Sequence, residues 1–406
     1  MMEIRPILSA LMRSKVSMIL IGLQVAFTLA IVCNALFIIS QRMDLMGQPT
    51  GMNEADTFSV SSYGFGAGFN VQSSVLSDLT VLRALPGVVD ATSVNTVPLS
   101  NSGWNSSVST QLGDHSPSTS AAFYFGDDHA VDTYAVNLVA GRNFMPEEIG
   151  FRTMDDVGTP AVVIITQALG ERLFPGESAI GRQFYFGGDE TSSPTTVVGV
   201  VERLQAPWPN FAHADNSVMV PQRLSSGNSS SYLIRAAPGR RDELMKQVED
   251  VLVKADSNRI VRSLKSMQAR RAEVYAGDRA MAIILAAVIV ALLGITALGI
   301  VGMASFWVAQ RTRQIGTRRA LGATRLDILR YFLTENLIIT TIGLVVGSVL
   351  AYGLSLWLMT SYQSPRLPWY YVPIGCVCLW LLGQIAVLGP AVRASRVSPA
   401  VATRSV

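Results

Sequence analysis

Charge is what this chain has least of. Of its 406 residues only 15% are Asp, Glu, Lys or Arg, whereas 49% are hydrophobic; a typical soluble domain is about 25% charged. Cysteine is also scarce. Cys33, Cys376 and Cys378 all fall in long apolar runs, so no disulfide framework is available to an exported domain. Cys376-x-Cys378 is too closely spaced for a zinc knuckle. His115, His129 and His213 are scattered, with no HExxH, so a metal site has no support. The four lysines follow Ser14, Met245, Val253 and Leu264, never a glycine. These residues therefore hold no Walker A loop, whose lysine must reach the β- and γ-phosphates. G-x-S-x-G is missing as well, which disfavours an esterase-type hydrolase. Asp127-Asp128 and Glu147-Glu148 read as solvated surface rather than catalytic dyads.

What the chain does have is four uncharged apolar runs, Val16 to Ile39, Ala280 to Val308, Leu337 to Met359 and Val372 to Val392. About 20 apolar residues span a bilayer, so these predict transmembrane helices at 16–40, 280–308, 333–359 and 372–392. The first run exceeds a signal-peptide h-region and lacks an A-x-A site. Bulky Val32 precedes Cys33 where a lipoprotein signal needs a small residue. An uncleaved anchor is expected. Lys and Arg set the orientation. Segments 1–15, 309–332 and 393–406 together hold 12 basic residues against two acids, Glu3 and Asp327, whereas Gln41 to Arg279 holds 19 basic and 26 acidic residues, a net of −7. Both termini and the 309–332 loop are expected in the cytoplasm, as a multi-pass protein of the bacterial inner membrane, and 41–279 outside it.

The 41–279 segment reads as mixed α and β. Val75, Leu76, Leu79 and Leu82 repeat at helical spacing until Pro86-Gly87, and Val88-Val89 opens a strand. Ser231 to Arg235 reads as a strand, Leu244, Val248, Val251 and Leu252 as a helical stripe, and Ile260-Val261 as another strand. These predict two βαβ-like halves around a β-rich insertion at roughly 115–225. Within it, Ala161–Ile165, Thr195–Val201 and Val218–Val220 read as strands, and Thr166 caps a short helix to Leu173. The Gly-, Ser- and Asn-rich stretches 61–70 and 101–120 read as loops. From Met267 the chain is expected to run as one stalk helix into the second span. The fold class is thus an α-helical membrane protein with four transmembrane helices plus a large α+β extracytoplasmic domain.

No span carries a charge near its middle, which argues against an ion-driven carrier. Gln24, Asn34 and Gln384 are candidate interhelical hydrogen-bond partners. Gly343-x-x-x-Gly347 permits close helix approach, within the chain or to a second copy. Glu335 reads as an interfacial residue that pairs with a nearby arginine. The cytoplasmic loop reads RTRQIGTRRALGATRLDILRYFLTEN over 311–336. Arg311 to Leu321 suits a helix that Gly322 ends, and Thr324 with Asp327 makes a capping box for a second helix running into the third span. Positive-inside charge accounts for the arginines. It does not account for Ile315, Ala320 and Leu321 interleaved among them.

This loop resembles the signature of FtsX-like ABC permeases, R-x-R-E-I-G-x-R-x-A-L-G-A followed by D-I and a membrane helix. The tail GPAVRASRVSPAVATR is similar to that family's ending. Val139-Ala-Gly-Arg-Asn-Phe, Leu173-Phe-Pro-Gly-Glu with Ile180-Gly-Arg, and Val197-Val-Gly-Val-Val resemble segments of its macrolide-exporter (MacB) type. The resemblance implies an FtsX-like permease domain at roughly 280–400 and a porter-like outer core at 41–279. It implies a non-enzymatic permease in which Arg311, Arg313, Gln314, Ile315, Gly316, Arg319, Ala320, Leu321, Gly322, Asp327 and Pro399 couple to a cytoplasmic ABC ATPase that itself binds ATP and Mg. A second permease subunit, a periplasmic adaptor and membrane lipid are implied as partners, and nucleic acid is not. Mechanical transmission for export of a drug, peptide or other periplasmic substrate is expected. The alternative is a non-transporting regulator of a partner such as a cell-wall hydrolase. Two positions depart from the family pattern: Gln314 stands where glutamate is usual, and Arg404-Ser405 replaces Leu-Arg.

Overall fold

The computed structural model describes residues 15–398 apart from 67, 114–116, 154–157, 188–191, 226 and 363–364. The chain forms two compact units, residues 47–276 and the helical segments that flank them on either side. Helix α1 (Lys15–Gly47) belongs almost wholly to the helical unit.

The globular unit opens with β1 (Thr57–Gly64), α2 (Val71–Arg83) and β2 (Val88–Ser93). Next come β3 (Trp104–Ser109), β4 (Ser118–Phe125), α3 (Ala130–Tyr134), β5 (Leu138–Gly141), β6 (Gly150–Arg152), β7 (Val162–Thr166) and α4 (Gln167–Leu173). β8 (Gln183–Phe186), β9 (Pro194–Val201), β10 (Ser217–Val220) and β11 (Gln222–Leu224) follow. The unit closes with β12 (Ser229–Ala236), α5 (Arg241–Ala255), β13 (Arg259–Ser266) and α6 (Met267–Val274). β12 lies between β1 and β2 and runs antiparallel to both, giving the order β13-β1-β12-β2. Each βαβ unit is therefore split by a strand of the other, the ferredoxin-like arrangement. The stripe Val75, Leu79 and Leu82 of α2 and the stripe Leu244, Val248 and Leu252 of α5 are buried on one face of this sheet with Phe58, Val60 and Ile234. Asn70 Oδ1 accepts from the Ser73 amide to start α2.

The insertion is a second sheet in the order β5-β9-β7-β10-β4-β3-β8, and β8 also pairs with β9. That extra pairing closes β9, β7, β10, β4, β3 and β8 into a six-stranded barrel. Val108, Phe123, Val163, Ile165, Phe184, Val197 and Val218 fill a core on one face of its strands. The insertion starts at Trp104, earlier than expected, because 101–120 is not simply a loop: it holds β3 and the start of β4. Likewise 61–64 belongs to β1. β3 reads WNSSVS, and its serines hide a strand whose barrel-side residue Val108 is fully buried. Thr166 sits at the N-cap of α4 but does not cap it; its hydroxyl donates to the Asp215 carbonyl at 2.6 Å. The stalk is not one helix. Tyr275, at φ −91° and ψ 12°, separates α6 from the next helix, α7 (Ala276–Gln310).

α7, α8 (Thr312–Ala320), α9 (Arg325–Tyr362) and α10 (Tyr371–Ser395) complete the helical unit. α1, α7, α9 and α10 are each long and apolar enough to cross a bilayer. Their buried sides meet at Val25, Leu29, Ile300, Trp307, Ile339, Leu344, Leu379 and Val387. Ile283, Val290, Leu298, Val349 and Ile385 point outward, exposed. Polar groups tie the helices together as the sequence anticipates for two of three candidates. Gln24 Nε2 donates to the Ile295 carbonyl at 3.0 Å, and Asn34 Nδ2 to the Ala351 carbonyl at 3.0 Å. Gln384 Nε2 is buried without a partner among the described residues. The two glycines of the GxxxG pair pack against α1. A Cβ on Gly343 would lie 2.7 Å from the Gly22 carbonyl oxygen, and one on Gly347 2.9 Å from Ala26 Cα.

Asp127 is not surface. It is fully buried at the end of β4, accepting from Arg83 Nη2 at 2.7 Å, Thr92 Oγ1 at 2.7 Å and Arg223 Nη2 at 3.1 Å. It thereby joins α2 and β2 of the core to β11 after the barrel. Burial drives its carboxyl upward, but the Arg83 guanidinium and the Thr92 hydroxyl outweigh that and hold it below its ordinary value. A carboxylate depressed on folding stabilises above its unfolded value, and the stabilisation fades as pH falls through the folded one. Asp127→Asn should therefore lower the melting temperature most near neutral pH. The gap from wild type should shrink below about pH 4, read by thermal unfolding across pH; a gap constant with pH would refute the assignment.

A candidate coupling elbow

α8 is only nine residues long, too short to hold its shape alone, so its position is set by what grips it. Ile315, 5% exposed, packs with Val308, Ile328, Phe332, Ala391 and Ala394, and Gly316 is buried beside it. Arg311, at the N-cap, donates to both Glu335 oxygens at 2.9 and 3.1 Å, and the Glu335 side chain is 1% exposed. Arg318 lies 4.9 Å from the centre of the Tyr331 ring. Arg319 Nη1 donates to the carbonyls of Ser395 at 3.0 Å and Val397 at 2.9 Å. The Ser395 carbonyl is one of the unpaired acceptors at the end of α10, where the helix dipole also favours a cation.

The turn into α9 is fixed equally tightly. The Ala323 amide donates to the Arg318 carbonyl at 3.0 Å and the Gly322 amide to the Arg319 carbonyl at 3.2 Å, the paired bonds of a Schellman motif. Gly322 takes φ +100°, a region that costs a residue with a Cβ. The capping box is present: the Asp327 amide donates to Thr324 Oγ1 at 3.2 Å and the Thr324 amide to Asp327 Oδ2 at 3.0 Å.

The residues expected to couple thus divide. Arg311, Ile315, Gly316 and Arg319 are turned into the helical unit and Asp327 is spent on the cap. Arg313, Gln314, Ala320, Leu321 and Gly322 are exposed. Gln314, Thr317 and Leu321 follow one line at helical spacing, and Leu321 is 84% exposed. Pro399 lies outside the described residues. Glu335, Ser395 and Val397 belong to the site through Arg311 and Arg319; the spacing of Arg311, Ile315 and Arg318, one face of a helix, was the available signal. Glu335 pairs with Arg311, not with Arg330, one turn before it.

A family model described as MacB-like periplasmic core domain matches residues 18–251, and one described as FtsX-like permease C-terminal matches 285–399. The chain belongs to this family: it is an ABC transporter permease of the MacB/FtsX type and a membrane protein. The uncharacterized ABC transporter permease YvrN of Bacillus subtilis is 26% identical over 301 residues, 69% of each chain. The macrolide export ATP-binding/permease protein MacB of Chromobacterium violaceum is 25% identical over 276 residues, 65% of this chain. The match spans only 40% of that relative's length. The periplasmic region of MacB from Actinobacillus actinomycetemcomitans aligns with 57% of this chain and 97% of its own, at 14% identity and a TM-score of 0.35.

Arg319→Met should free the end of α10 from the elbow. Limited trypsinolysis should then cut after Arg396 several times faster than in wild type, while Arg313→Met leaves that rate unchanged; equal rates in both variants would show that Arg319 holds nothing.

Proposed function

We propose that this chain is the permease subunit of a mechanotransmission ABC exporter, with α8 and both termini in the cytoplasm and the globular unit outside. A separate ABC ATPase, which alone binds ATP and Mg, docks on the outward line of α8. The observation that carries this reading is Leu321: a large apolar side chain 84% exposed among arginines, on a helix whose other side is locked. Because α8 is gripped from its other side, Leu321 is presented at a fixed place, where a docking partner can bury it. Ile315, Gly316, Arg311 and Arg319 then serve as the transmission rather than the contact. Movement of α8 is passed to α9 through Glu335 and to α10 through the Ser395 and Val397 carbonyls. α7 continues the chain into the globular unit through Tyr275. A second permease, this chain or a related one, completes the assembly. Relatives named for macrolide and pyoverdine export favour a small molecule or peptide as cargo, and a periplasmic adaptor is proposed as a further partner.

Burying one leucine contributes roughly 1.5–3 kcal/mol, or a ten- to hundredfold change in affinity. Leu321→Asp should therefore abolish co-purification with the cognate ATPase and any stimulation of its hydrolysis, while Leu321→Met retains both. Retention of the ATPase by Leu321→Asp in a folded membrane fraction would reject the docking surface.

A further inference from the structure

The barrel of the globular unit has one end at which six strand termini meet. These are the C-terminal ends of β4, β8 and β10 and the N-terminal ends of β3, β7 and β9. They surround a cavity of about 470 Å³, a ligand-sized volume at a barrel mouth, where small-molecule sites recur. Its floor is Phe123, Phe125 and Val220, all buried. Trp104 stands edge-to-face with Phe125 at 5.1 Å between ring centres, and Phe186 with Phe123 at 5.0 Å. Arg152, from β6, lies across this aromatic wall, its guanidinium carbon 5.8 Å from the centre of Trp104 and 5.7 Å from that of Phe125. Its Nη1 donates to the Gly158 carbonyl at 2.8 Å and to Gln222 Oε1 at 3.3 Å.

We propose that this mouth binds a small planar aromatic acid, its ring between Trp104 and Phe186 and its carboxylate on Arg152. Ring faces and edges in one cleft select a flat aromatic over an aliphatic chain. The guanidinium repels a cation and rewards an anion. A carboxylate that meets the guanidinium from the cavity makes a charge-assisted bond. Nothing in the coupling elbow contributes to this site, so it stands independently of how the permease is driven.

The test uses the full chain in lipid nanodiscs and 2-naphthoate as probe, with neutral 2-naphthamide as its uncharged counterpart, by equilibrium dialysis. For so small a molecule, saturable one-to-one uptake is expected with Kd on the order of 1 mM or tighter, and the amide should bind about tenfold more weakly. Arg152→Met should weaken naphthoate at least tenfold and erase its preference over the amide. Ser193→Trp, an exposed rim position, should block both compounds with the melting temperature unchanged, and it decides the matter if Arg152→Met does not fold. Non-saturating uptake, or naphthoate binding equally to wild type and Ser193→Trp, would place the probe in lipid and overturn the proposal.

Discussion

A single buried carboxylate disciplines the helical unit. Glu335 sits on α9 with 1% of its side chain exposed and is matched by Arg311 at the entrance to α8. Such a pair adds little net stability, because desolvation nearly offsets attraction, but breaking it by removing one partner costs about 3–5 kcal/mol. The asymmetry is what matters. It gives Arg311 one acceptable position, and Arg311 is the hinge residue from which α8 departs. Arg319 repeats the device at the other end of the helix with backbone carbonyls instead of a carboxylate. A nine-residue helix that could not persist by propensity is thus held at both ends, and its apolar residue Ile315 is wedged between.

The globular unit meets a related difficulty by other means. It has no cysteine and must hold a barrel inside a split βαβ core through packing and paired charge. Asp127 is the junction. Arg83 and Thr92 reach it from the core and Arg223 from beyond the barrel, so its three partners are widely separated from it in sequence. Asp78 plays the equivalent part between α2 and the outer strand β13, accepting from Arg259 and Tyr232 with both ionic partners fully buried. In both cases the buried acid accepts from two or more donors, which offsets the cost of burying it, although at Asp78 they all reach Oδ2 and Oδ1 has no partner among the described residues.

How much of this was legible follows from the range of each signal. The four spans announce themselves because an uncharged run of bilayer length needs no context. Gly322 and the Thr324–Asp327 box are readable because a Schellman turn and a capping box are written within six residues. β3 was invisible because WNSSVS has the composition of a loop, and its strand state is imposed by pairing with β4 and β8. Asp127 read as surface because its partners lie 44 and 96 residues away. By helix propensity Gly277 is the weakest residue of the stalk, yet the helix breaks two residues earlier, at Tyr275, where the tertiary setting overrides propensity.

The same division between local and long-range signal bears on Gln314. In the family pattern this position is usually glutamate, and its loss invites the idea that an internal ion pair is missing. The elbow argues otherwise. The carboxylate that Arg311 requires comes from Glu335, and Gln314 faces outward, on the line of Thr317 and Leu321. Neutralising an exposed position leaves the grip on α8 intact and alters only the face that α8 offers. Beside Arg313 and Leu321, an amide in place of a carboxylate makes that face more cationic. A partner fitted to it would answer with acidic rather than basic residues around an apolar socket for Leu321. On the proposed docking surface, the departure from the family pattern therefore bears on specificity and not on the integrity of the permease.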